Sequence, residues 1–570
     1  MNRRIVICLL SLFLIPYSIR AQRIPQAIEY TEVYDFIEEL TTDGVISSNA
    51  AIKPYTRDVI ARMLVEAQTK DSLLNQRQRD DLQFYLQDYA LELNTLPVYK
   101  SYGHKHVTQW ITPVSNLSLV DPGLHILTKN KVFKFRLKPI LGMDLTYNTN
   151  GLLMHRVYGA EIQMDIAHHL SIWGSIRDNS WSGQGIYDSR ITKPDYLNNL
   201  AGVQYKEANY GGDFSDSRGG ISLYAWWGSV GVQRERITWG DAQHCSNILS
   251  AHNPAVPMFT IQITPCKWFQ FDYFHAWLVS NVIDSTYYYE ENYKEGVTKR
   301  NYRPANKFMA ANMFTFMPIK YIQFSFGNSI VYAERNVQAA YFIPIAFYKS
   351  LDHLLTKGLG TENQNSQAFA SITLRPTDHL RLYGSFFLDE FKLARLNPSN
   401  PQRNPVSYLV GFNWSGWPLK GLALRGEFMR AYIATYEHSI PVLDYRSNSY
   451  YMGHYMGSNS QSIWAQLSYR PTRSLRLMLD YTNDTKYTAY DYIRGDIKDI
   501  ISQTPFINPI WQNDEWKFRA VYEVFNNCYA HVDVAYSHAR AITPEYLNKY
   551  SPVYLQGKKV TFSCGLHFGF

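Results

Sequence analysis

Charged side chains at alternating positions are the most visible chemistry in this sequence. Lys134, Arg136 and Lys138 alternate with apolar neighbours, as do Arg381, Arg425, Arg476, Lys517 and Arg519. Acids occupy the same kind of position in Glu161, Asp165, Glu427, Asp480, Glu523 and Asp533. In a strand, every second side chain points to the same face. If the apolar neighbours face lipid, these charges line one interior. A basic interior would draw in an acidic polysaccharide or another anion. The competing reading, which we favour, is a network of mutual salt bridges that fills and stiffens the interior. Arg381, Arg425 and Arg476 are the candidates on which the two readings diverge.

Aromatic side chains form the second group. Tyr287, Tyr288, Tyr289 and Tyr293 cluster in one segment, Tyr445, Tyr450, Tyr451 and Tyr455 in another, and Tyr487, Tyr490 and Tyr492 in a third. Aromatic faces stack on the C–H surfaces of sugars, while nearby Asn, Asp and Arg hydrogen-bond hydroxyls. Tyr288 and Tyr451 are therefore candidate saccharide contacts, and Trp239, outside these clusters, is a further candidate. Interfacial belts and loop packing are the alternative.

Catalytic patterns are missing. There is no G-x-S-x-G elbow, and Gly358 with Gly360 is too incomplete for a nucleotide loop. Asp389 and Glu390 are adjacent, so a strand would send them to opposite faces, a poor arrangement for paired glycosidase carboxylates. His104 and His106 share a strand face without a third ligand, and read as a surface pair rather than a metal site. Cys245, Cys266, Cys528 and Cys564 lack metal-ligand spacing and are too sparse for a disulfide framework. No enzyme activity, cofactor or metal is expected.

These residues need strands to position them, and the period supplies strands. From about Val132 onward apolar residues recur every second position, most clearly at Val560, Phe562, Cys564, Leu566, Phe568 and Phe570. The turns recur too. RPTDHLRL (375–382) and RPTRSLRL (470–477) are near copies, looser relatives carry Pro265, Pro318 and Pro418, and tight turns fit near Ala167, Trp227 and Asn526. Eight short turns joining sixteen strands, with a strand at 132–147 before them and one at 558–570 after, predict eighteen strands. An even count, with short turns at one end and long loops at the other, is the pattern of an outer-membrane β-barrel.

Before the strands the period is 3.6. Val33, Phe36, Ile37 and Leu40 form a helical stripe stopped by Gly44; Ile60, Met63, Leu64 and Ala67 form another, with Thr56 as a candidate cap; Leu82, Leu86, Tyr89 and Leu93 form a third. Short helices of this kind must pack on each other or on the rest of the chain. At the N-terminus, Arg3 and Arg4 precede the apolar run Ile5–Ile15, and Ala21 is a plausible cleavage residue, the form of a secretory signal. The expected division is a signal peptide (1–21), a periplasmic helical head (22–100) and a barrel (101–570).

Composition agrees with that division. The 570 residues are 15% aromatic and only 18% charged, below the roughly 25% of a typical soluble domain. Beyond the N-terminus there is no apolar run of the about 20 residues a membrane helix needs. Losing Arg3, Arg4 and Arg20 takes the formal charge from +7 to +4, too mild for a nucleic-acid partner.

The chain also resembles the outer-membrane capsule-assembly proteins of the Wzi type, in the branch common in Bacteroidetes. KPYTRDVIARML (53–64) and DDLQFYLQDYALEL (80–93) are similar to that family's helical segment. The stretch from Trp239 through Asn253 to Pro257, NSIVYAERNVQAAYFIP (328–344), and YGSFFLDEF (383–391) followed by Lys392 are similar to its barrel. The resemblance implies an 18-stranded barrel with a periplasmic helical bundle, and a non-enzymatic role in holding or organising surface polysaccharide. The sequence departs from the family pattern after Trp239 and Gly240, where Asp241, Ala242, Gln243, His244 and Cys245 stand in place of another glycine. The expected partners are the lipid bilayer, a surface polysaccharide and, through the head, a periplasmic or outer-membrane protein. The alternatives are a general porin or transporter, and a structural subunit of a larger outer-membrane complex.

Overall fold

The computed structural model describes residues 24–29, 31–96, 108–111, 115–120, 123–183, 206–208, 211–293, 297–356, 364–390, 392–448 and 450–569. The expected signal, His104 and His106, Gly358 and Gly360, and the boundary at residue 100 lie outside the described residues.

Eighteen strands form a closed ring: β1 (Phe133–Asn148), β2 (Gly151–Ile166), β3 (Leu170–Gly183), β4 (Gly211–Ala225), β5 (Gly228–Glu235), β6 (Val256–Cys266), β7 (Phe269–Leu278), β8 (Lys307–Ile319) and β9 (Ile322–Tyr332) make up its first half. β10 (Gln364–Thr377), β11 (Leu380–Asp389), β12 (Val406–Ser415), β13 (Leu422–Ala431), β14 (Ser460–Tyr469), β15 (Leu475–Tyr487), β16 (Pro509–Phe525), β17 (Cys528–Ala541) and β18 (Gly557–Phe568) complete it. Successive strands pair antiparallel, and β18 returns to β1 with Phe562 opposite Tyr147 and Phe568 opposite Leu141. The strand count and both end strands agree with the alternation. Leu382, Phe386, Phe518, Val532, Phe562 and Leu566 point outward and are exposed, as a lipid-facing band requires, while Arg381, Ser385, Asp533 and Thr561 point inward and are buried.

The eight short connections fall at one end, at 167–169, 226–227, 267–268, 320–321, 378–379, 416–421, 470–474 and 526–527. The opposite end carries the long loops, except that β1 and β2 are joined by a two-residue turn at 149–150. Three additional strands (Thr108–Ile111, Ser115–Val120 and Gly123–Thr128) precede the ring. The last of them pairs with the first half of β1, setting Leu124 opposite Leu137. The sequence reading, which started the strands near Val132, did not anticipate them.

The three apolar stripes form helices α1 (Thr31–Thr42), α2 (Arg57–Thr69) and α3 (Gln76–Asp88). They merge into one cluster that includes Phe36, Leu40, Ile60, Leu64, Leu82 and Tyr89. Gly44, at φ +73°, ends α1 in a backbone conformation that a side chain disfavours. Thr56 does sit at the N-cap of α2, but its hydroxyl donates to the Asp58 carboxylate rather than capping a backbone N–H. Asn75 and Gln78 form a reciprocal capping box on α3.

The helices seat in the short-turn end of the ring. The N–H of His379 donates to the Thr42 carbonyl at 2.9 Å, and Asn526 Nδ2 donates to the Phe84 carbonyl at 3.0 Å. From the head, residues 52–53 run into the lumen and pair with an inward-folded loop, Ile52 opposite Trp239 and Lys53 opposite Thr238. Above that ladder, Ile248, Leu249, Tyr436, Tyr445, Met452 and Met456 pack against Phe274, Phe369 and Phe387 of the wall. The lumen is therefore filled at mid-height by head, loops and wall together.

One loop takes the opposite course. Residues 333–347 fold over the outer surface of the wall, where outward-facing Asn312 donates to the Pro344 and Ala346 carbonyls at 2.8 and 2.9 Å. Tyr332, Tyr341 and Tyr348 are buried beneath it, and Ile343, Ile345 and Phe347 are exposed. The NSIVYAERNVQAAYFIP stretch (328–344) thus completes β9 and then supplies most of this loop.

Candidate functional site

The three candidate arginines meet one helix. Asp35 and Glu38 are separated by three positions and so share a face of α1. Arg425 Nη1 donates to Asp35 at 2.7 Å, and Arg476 pairs with the other oxygen of the same carboxylate. Arg381, fully buried, donates to Glu38 at 2.8 Å and to the Asp241 carbonyl at 2.9 Å. Burial alone would push the Asp35 carboxyl up, yet the Arg425 and Arg476 guanidiniums hold it at about 2. Glu38 is likewise lowered against its own burial by Arg381 and Arg375.

The pattern repeats around the ring. Arg136 donates to Asp88 at 2.6 Å, Arg470 pairs with Asp81 at 3.4 Å, and Arg218 and Arg236 both reach Glu29. Other interior charges pair within the wall. Lys134 lies 3.8 Å from Asp165, Lys138 3.7 Å from Glu161, and Arg519 forks onto Asp533 with Lys517 beside it. Glu427 accepts from Tyr383 and from the N–H of Gln243, and Asp480 from Gln466. Glu523 is buried on the same interior face. Salt-bridge pairing is thus present, but Arg425 and Arg476 find their carboxylate on the helical head, and Arg381 finds one there and a second, Asp241, on the inward loop. The acidic face of α1 lies beside its apolar stripe, and that was the signal available in the sequence.

Trp239 is buried edge-on to Phe274 and Phe369, with ring centroids 4.9 and 5.9 Å away. The departure just after it has a packing role. Asp241 accepts from Gln323 at 3.2 Å and lies 3.7 Å from Arg381, anchoring the loop to the wall.

The tyrosine clusters separate into distinct environments. Tyr445 and Tyr455 are buried in the lumen plug, where Tyr445 donates to the Ile248 carbonyl. Tyr451 is half-buried under the Arg446 guanidinium, 4.1 Å from its centroid, and donates to Glu437. Tyr487 meets Phe506 edge-on, while Tyr492 accepts from the N–H of Ala434. The hairpin of Ile283–Tyr293 and Val297–Pro304 differs, because it projects from the long-loop end with its rings exposed. Tyr287, Tyr288, Tyr289 and Tyr302 are each between 42% and 53% exposed. Arg300 lies 4.9 Å over Tyr288, and Arg303 lies 4.9 Å over Tyr287. Tyr288 and Tyr451 thus sit on separate hairpins.

Asp389 is buried, accepting from the N–H of Tyr436, whereas Glu390 pairs with Lys392 outside the strand. All four cysteines of the described chain are free thiols.

Comparison with known proteins places this architecture. The family model described as capsule assembly protein Wzi matches residues 141–542. The chain belongs to the Wzi capsule assembly family. It is similar to the solved structure of Wzi from Escherichia coli, described as an outer membrane protein involved in group 1 capsule assembly and a carbohydrate-binding β-barrel. That match has a TM-score of 0.53 at 11% identity and covers 96% of this chain and 99% of that one. It is also similar to OccK5 (OpdH) from Pseudomonas aeruginosa, with a TM-score of 0.41 at 10% identity over 76% of this chain and 97% of that one. No curated protein matches the chain. As a Wzi-family barrel of eighteen strands with an apolar outer band, the protein resides in the outer membrane.

Proposed function

We propose that this Wzi-family barrel binds and organises surface polysaccharide through its long-loop end, without enzymatic turnover. The helical head closes the periplasmic end and is available there to a protein partner. The observation that carries the reading is the projecting hairpin, which presents four exposed tyrosines interleaved with Arg300 and Arg303. Ring faces would stack on sugar C–H surfaces, and the guanidiniums would pair with acidic groups on the polymer. The family match and the carbohydrate-binding description of the Escherichia coli protein support the same reading. Tyr288 is the contact we place first. Tyr451 contributes through its half-buried edge.

In this reading Arg381, Arg425, Arg476 and Trp239 hold the plug in place, and their effect on the polymer is indirect. The test is binding of purified, detergent-solubilised protein to polysaccharide isolated from the source strain. Replacing Tyr287, Tyr288 and Tyr289 with Ser is expected to weaken binding at least about tenfold, the loss of roughly 1.4 kcal/mol. Unchanged binding by that variant would remove the hairpin from the proposal.

A further inference from the structure

Where the ring closes, three strands aim metal-ligating side chains at one point on the lumen side. Asp144 on β1 lies across from Gly565 on β18, and Gly565 lies across from His531 on β17. His567 stands two residues along β18 on the same face. Asp144 Oδ1 is 2.8 Å from His531 Nε2 and 2.7 Å from His567 Nε2. The three ligand atoms all lie within 4.8 Å of one another. His155 on β2 approaches the second oxygen, its Nδ1 3.2 Å from Asp144 Oδ2.

Two further observations show that this convergence is built. The first is the space. A Cβ at Gly565 would stand 2.1 Å from Asp144 Oδ1 and 2.4 Å from His531 Nε2, so any side chain there would occupy the meeting point. The second is the orientation of the rings. His531 Nδ1 lies 3.5 Å from Asp533, which Arg519 grips through two donors at 2.8 Å each. A carboxylate at the far nitrogen is the usual way a metal-binding histidine is aimed. The His567 ring is stacked on Tyr529, with centroids 4.9 Å apart at 8°.

We propose that Asp144, His531 and His567 bind one divalent transition-metal cation of the zinc class, with His155 held against the same carboxylate. Two imidazoles and one carboxylate suit zinc, whose ligands stand about 2.0–2.2 Å from the ion. They do not suit calcium or magnesium, which favour all-oxygen shells. Asp144 is 387 positions from His531 and 423 from His567, so the ion clips the two ends of the barrel chain across the seam. An ion that binds only the folded ring stabilises it by mass action.

The test uses tag-free protein, stripped with EDTA and titrated with zinc chloride in detergent. One equivalent of zinc is expected per chain, with a rise in unfolding temperature, and no comparable effect from magnesium. Binding should vanish in the double variant His531→Gln/His567→Gln while its far-UV spectrum stays that of a barrel. It should weaken in Gly565→Ala, which keeps every ligand but fills the space between them. Replacing His104 and His106 should leave binding intact. The proposal is overturned if no zinc is retained, or if the His531/His567 variant binds as tightly as the parent.

Discussion

Arg381 has no exposure to solvent, and its charge persists because Glu38 and Asp241 close around it. Removing one member of a buried ion pair leaves the other desolvated without compensation, typically at a cost of about 3–5 kcal/mol. Arg381→Gln should therefore lower thermal stability by roughly that amount while leaving polysaccharide binding nearly unchanged, and a double-mutant cycle with Glu38→Gln should show strong coupling. The pH dependence rests on the same residues. The folded-state value of Asp35, about 2, lies below the ordinary carboxylate value of about 3.9, so its stabilisation is complete above pH 4 and is lost as pH falls through 2. Asp81, raised to about 6 by burial, acts in the opposite direction, and its share of stability fades as pH rises through 6. Thermal unfolding followed from pH 5 to pH 2 should show an acid loss that shrinks in Asp35→Asn. At this scale the sequence was half legible. Alternation correctly placed Lys134, Arg136 and Arg381 on the interior face. It was silent about the head carboxylates that meet Arg136, Arg381 and Arg425, because Asp35, for one, stands 390 positions from Arg425, and no short-range period reports such a contact.

At the scale of elements, local chemistry carried most of the information. The repeated proline-containing turns and the period of two located the strands, since each strand must show lipid one face and the lumen the other. What local patterning missed was the destination of the loops. The segment after Trp239 turns inward to pair with the head, whereas residues 333–347 fold outward over the wall. Asn312 and Asn328 gave a readable hint: amides on the lipid side of strands require partners, and the draped loop supplies them at the Pro344 and Ala346 carbonyls. Asn312→Ala should strand the Pro344 carbonyl and leave Ala346 to Asn328 alone, at a cost of about 1–3 kcal/mol. Limited proteolysis should then cut within 333–347 while the barrel itself remains resistant.

The whole molecule is a barrel closed from one end by acidic helices and at mid-height by its own loops. The intact protein should therefore give no stable conductance steps in planar bilayers. Deleting residues 24–94 removes Asp35, Glu38 and Asp88 from beside Arg381, Arg425, Arg476 and Arg136 but leaves the loop plug, so conductance should stay absent until the inward loops are also removed, and the path then opened should prefer anions. The proposed role is at the cell surface. The direct measurement is polysaccharide retained on cells of the source strain that lack the gene, complemented either with the parent chain or with the Tyr287/Tyr288/Tyr289→Ser variant. A role at the cell surface requires loss of cell-bound polymer without the gene, restoration by the parent, and incomplete restoration by the variant at equal outer-membrane abundance. Full retention of polymer in the absence of the gene would contradict it.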